Sequence, residues 1–81
     1  MELKDTIEMM NSADYKERFK AEYYQTKIRY NKLHKMMVKK EAETLDFEPK
    51  CPDEILNNQL YYMGEYLKYL EVRAEIEGIE L

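Results

Sequence analysis

From Tyr15 onward, Phe19, Tyr23, Thr26, Tyr30, Leu33 and Met37 recur at alternating spacings of four and three residues, and Leu56, Leu60, Met63, Leu67, Leu70 and Ala74 repeat the pattern further along. That repeat keeps each row on one side of an α-helix and suits two helices packed along their length. The pattern predicts an all-α chain with long helices over about 14–42 and 52–77. Ser12 or Asp14 can cap the first, with Glu17 three residues after Asp14 as in a capping box, and Lys35, Lys39 and Lys40 suit its C-terminal end. Pro52 is expected at the first helical position of the second, followed by Asp53 and Glu54 in the first turn. Gly78 suits a left-handed position after its last turn, with Ile79 folding back as in a Schellman motif.

Ahead of these, Leu3 to Met10 can form a short N-terminal helix with Leu3, Ile7 and Met10 on one side, and Asn11 and Ser12 read as a break. Glu43 to Cys51 has no helical period, and Pro49 and Pro52 interrupt any continuation of the first helix, so it is the connection of a hairpin. Its apolar residues Leu45 and Phe47 are expected to fold back and plug the hairpin end. A connection this short requires an antiparallel two-helix hairpin. That topology sets Met37 near Leu56, and Tyr15 and Phe19 near Leu70 and Ala74, with Arg18 and Arg73 in one region.

Each helix also carries a second apolar row that cannot enter the same seam: Ile55, Tyr62, Tyr66, Tyr69 and Ile76 on the second, and Tyr24, Ile28 and Met36 on the first. An apolar patch of that size on a small chain marks an interface, so a homo-oligomer is expected. Tyrosine packs through its ring while its hydroxyl reaches water, so these rows suit either a subunit boundary or the stacking of a nucleobase beside Arg or Lys.

At 81 residues the chain is one domain, 1–81, near the lower limit for an independent core, which again favours self-association. The 44% hydrophobic content with eight Tyr excludes a disordered segment despite 37% charged residues. The net charge of −4 argues against general nucleic-acid binding, yet it is unevenly spread. Asp14 to Glu41 holds nine basic residues and four acids, whereas Asp53 to Leu81 holds two basic residues and seven acids. Two explanations fit: charges flanking the seam of paired helices, or a basic face for an anionic ligand.

The single cysteine, Cys51, permits no internal disulfide, and no Cys/His spacing fits zinc, so a reducing cytoplasm is the expected compartment. Neither a leader nor a membrane span is expected. No Gly-rich phosphate loop is present, since Gly64 lies within a helix and Gly78 at its end. His34 reads as a solvated surface residue, Cys51 as structural, and Glu75 and Glu77 as an acidic helix face. No catalytic set, metal site or cofactor is therefore expected, and the chain is not read as an enzyme.

The run from Asn11 to Tyr23 resembles the opening of small proteins encoded by phages and prophages of Gram-positive bacteria. Leu45-Asp46-Phe47, Cys51-Pro52, Gln59-Leu60, Met63, Tyr66-Leu67, Leu70-Glu71 and the ending Ile76 to Leu81 continue that likeness. Such proteins resemble in turn the helical-hairpin domain of phage anti-CBASS and anti-Thoeris sponges, which oligomerise and sequester cyclic nucleotide signals of bacterial immunity. The resemblance implies a sponge that captures a cyclic nucleotide without cleaving it, in the cytoplasm of an infected or lysogenic host. No functional residue is carried over from those sponges. A pocket at the open end of the hairpin would use Tyr15, Phe19 and Tyr23 for stacking and Arg18, Lys27 and Arg73 for phosphate. The alternative is a phage helical module that docks a protein and binds no small molecule. Nucleic-acid binding through the basic first helix ranks last, because seven acids on the adjacent helix shorten its field.

Overall fold

A computed structural model describes all 81 residues, and every regular element in it is helical. A 3-10 turn over Leu3–Thr6 runs into a short helix α1 over Ile7–Met10, followed by α2 over Tyr15–Glu41 and α3 over Asp53–Glu77. The two long helices pack against each other as the hairpin expected from the apolar rows. Both lie within a residue of their expected ends at either terminus.

The caps explain those ends. Asp14, not Ser12, caps α2 by accepting the Lys16 N–H at 3.0 Å, while the Ser12 hydroxyl accepts the Asp14 N–H at 3.0 Å. Glu17 is turned to Lys20 at 3.4 Å, and the reciprocal capping bond forms instead at Glu2 and Asp5. At the other end of α2, Glu43 takes the left-handed conformation (φ 61°), and Thr44 donates to the Lys39 carbonyl at 2.9 Å in a Schellman turn. Pro52 stands one residue earlier than expected, as the N-cap of α3 in extended geometry. Gly78 is left-handed, the Ile79 N–H reaches the Ala74 carbonyl at 2.8 Å, and the Ile79 side chain is buried as expected.

The core lies at the open end of the hairpin, where Phe19 and Tyr23 of α2 meet Leu67, Leu70 and Ala74 of α3, with Ile79 closing the cluster. Toward the loop, Leu33, Met37, Leu56, Leu60 and Met63 are only half-buried. Midway, Gly64 lets the Tyr30 ring approach: a Cβ at position 64 would stand 3.3 Å from that ring.

Three further expectations are corrected. The more buried residues of the N-terminal segment are Leu3, Thr6 and Met9, with Thr6 fully buried, while Ile7 and Met10 are exposed, Met10 still accepting the Gln25 amide through its sulfur at 2.7 Å. Tyr24 and Ile28 do not form an open row: both are half-buried, with Tyr24 packed against the core cluster, its ring edge-on to Tyr23 with centres 5.3 Å apart. Phe47 does not plug the hairpin end: it is exposed, and Leu45 alone is half-buried.

The N-terminal segment covers the side of α2 turned away from α3. Ala21, about half a revolution from Phe19 and Tyr23, is buried there. The Gln25 amide donates to the Thr6 hydroxyl at 2.9 Å, which itself donates to the Leu3 carbonyl at 2.7 Å. Helix α2 is thus sandwiched, whereas α3 is covered on one side only.

Candidate functional site

The residues expected to form a pocket divide between two flanks of the hairpin seam. Arg18 and Lys27 are nine positions apart, which on a helix of 3.6 residues per turn is about half a revolution. Arg18 therefore shares a flank with Tyr15, and Lys27 lies on the opposite flank, where its ammonium sits 5.8 Å from the Tyr30 ring centre.

On the first flank the Arg73 guanidinium lies over the Phe19 ring, 4.8 Å from its centre, and Nε pairs with Glu77 at 3.0 Å. Arg18 donates through Nη1 to the Ser12 carbonyl at 2.8 Å and meets no carboxylate. Tyr15 is half exposed beside it. The same flank of α3 presents Tyr62, Tyr66 and Tyr69, all exposed. Arg29 belongs here too, exposed and without an acidic partner. It was not among the expected site residues, although it follows Arg18 by eleven positions, three helical turns, and so shares its face.

Phe19 and Tyr23 hold the core, and a base reaching either ring has to displace Arg73 or Glu71. The Tyr23 hydroxyl donates to the Glu71 carboxylate at 2.7 Å. Burial, then that bond and the carboxylate charge, push its pKa up to about 12, so it stays a neutral donor.

An open groove of about 1000 Å³ lies on this second flank, lined by Tyr23, Lys68, Glu71, Glu75, Ile79 and Glu80 among others. Its three carboxylates against one ammonium repel an anion. A smaller groove of about 490 Å³ at the loop end has His34, Lys40, Asp53 and Asn57 in its wall. There Lys40 bonds Asp53, which holds its ammonium above the ordinary lysine value, and it also meets Glu48 at 3.4 Å. His34 is exposed and stacks on Tyr30, with ring centres 6.0 Å apart.

The arginine and tyrosine flank is therefore the surface suited to a ligand that is both anionic and aromatic. Guanidinium groups fork onto phosphate oxygens, and exposed phenol rings offer stacking faces. No helix is long and apolar enough to cross a membrane. No curated protein and no solved structure matches the chain. The family model Sequestin matches residues 13–76, which takes in all of α2 and α3 up to its penultimate residue but not the N-terminal segment. The chain belongs to the Sequestin family.

Proposed function

We propose that this protein is a phage anti-defence sponge that binds a cyclic nucleotide immune signal and holds it without cleaving it. Membership of a family named for sequestration is the observation that carries this reading. The name points to capture of a signal molecule, and the surface chemistry narrows the class. Arg18 and Arg29, exposed and without acidic partners, suit phosphates, and the half-exposed Tyr15 suits a purine ring. Capture requires affinity and abundance only, so it needs no chemical step; in this reading the protein acts as a homo-oligomer in the host cytoplasm.

Equilibrium titration with cyclic di- and trinucleotides and cyclic ADP-ribose isomers, followed by heat release and chromatography of the ligand, tests the proposal. One of these compounds should bind stoichiometrically and be recovered unchanged. The double variant Arg18→Ala, Arg29→Ala should weaken binding by at least about 100-fold, since each charge-assisted contact contributes about 1.5–3 kcal/mol. Recovery of a cleaved product contradicts the proposal. A second reading rests on the exposure of Tyr62 (69%) and Tyr69 (62%): these rings dock a partner protein and no small molecule binds. Indifference to every compound in the titration favours it.

A further inference from the structure

The exposed row of α3 has a regularity beyond its apolar character. Ile55, Tyr62, Tyr69 and Ile76 stand seven residues apart, and Gln59, Tyr66 and Arg73 fall between them at the alternating four-three spacing. That is the spacing of a second coiled-coil seam, running the length of α3 beside the row used within the hairpin. None of its apolar members is covered: Ile55 is 54% exposed, Tyr66 44% and Ile76 79%.

The size of the molecule shows how much surface this leaves. A compact protein of 9.9 kDa exposes roughly 5200 Å², whereas this chain exposes 6144 Å². Its radius of gyration is 14.9 Å, against about 12 Å for a compact chain of this length. The excess of about 900 Å² is close to the roughly 800 Å² that each partner contributes to a stable interface. Three tyrosines at these exposures, each able to bury about 150–250 Å², with two isoleucines, account for most of it.

We propose that the occupant of this seam is a second copy of the chain, with α3 packed antiparallel on its copy about a two-fold axis. An isologous contact needs a surface complementary to itself, and this row provides one. In an antiparallel heptad register Tyr66 meets Tyr69 of the other copy, and Tyr62 meets Arg73, an aromatic pair and a cation over a ring. Gln59 and Arg73, polar groups at seam positions, restrict the registers available. Antiparallel α3 helices also oppose their dipoles. Arg18 and Arg29 remain at the margin, so the two-fold brings both copies' arginines to one cleft that a single chain leaves half built. This deepens the proposed function, resting on its oligomeric part.

Light scattering on the ligand-free full chain tests the seam independently of any nucleotide. The wild type should have the mass of an even-numbered assembly, and Tyr62→Glu with Tyr69→Glu should reduce it to single chains of unchanged helical content. A wild type that stays at 9.9 kDa overturns the seam, as does a double variant that keeps the wild-type mass. Should the double variant lose its helical signal, Ile76→Glu at the exposed end of the row provides the second reading. It should weaken self-association at least tenfold, and an unchanged dissociation constant overturns the proposal. Loss of assembly through Ile7→Glu, on the N-terminal face, with the α3 variants still assembled, also overturns it. Failure of the nucleotide titration with the seam intact counts against the sponge and leaves the dimer standing.

Discussion

Tyr23 joins the two long helices through both its ring and its hydroxyl, and its titration reads out that role. Its pKa is raised from 10.0 to about 12 in the folded chain. Stability is therefore fully present below about pH 10 and is lost as the hydroxyl ionises on the way up through about 12. At about pH 8 the wild type should be more stable than Tyr23→Phe by about 1 kcal/mol. The gap should close as pH rises toward about 12. Urea midpoints of the two chains across that range check the prediction. A second residue-scale prediction concerns Glu43, which holds a left-handed backbone at φ 61°. Glycine there relieves a strain of about 1–2 kcal/mol while adding freedom to the unfolded chain. Glu43→Gly should therefore raise the midpoint, and an unchanged or lower value contradicts the Schellman turn.

Among the elements, the long helices were legible in the sequence because their apolar rows keep one period for six turns and their ends carry strong signals at Asp14 and Gly78. The N-terminal segment departs from the expected pattern for a geometric reason. Its 3-10 start has three residues per turn, so Leu3, Thr6 and Met9 align, and the buried member is a threonine whose hydroxyl is satisfied by Leu3 and Gln25. Hydropathy alone favoured Ile7 and Met10. The site was less legible for a related reason: Phe19 and Tyr23 look on paper like the exposed tyrosines of α3, and only the packing decides which rings are covered. Nor could residue type separate Arg18 and Arg73 from Lys27, since the two flanks of the seam are distinguished by helical phase. If Gln25 holds the N-terminal segment down, Gln25→Ala should cost about 1 kcal/mol. Amide exchange at residues 3–10 should then accelerate more than at the core of α3.

For the whole molecule, a flat body of 43 × 25 × 17 Å with eight buried residues of 81 and one open helix face suits the second copy proposed to cover it. Arg18 and Arg29 lie at the margin of that face, so in the proposed account the second copy borders the ligand site. High salt should therefore weaken ligand binding through the exposed arginines more than it weakens self-association, whose seam is largely apolar. Titrations and sedimentation at low and high salt compare the two.

Native mass spectrometry of the full chain, alone and with cyclic di- and trinucleotides and cyclic ADP-ribose isomers, tests the sponge most directly. The account predicts an assembly of an even number of 9.9 kDa chains that gains a fixed, whole number of one compound at its intact mass. An assembly that gains none of them, or that returns a ligand of altered mass, contradicts it.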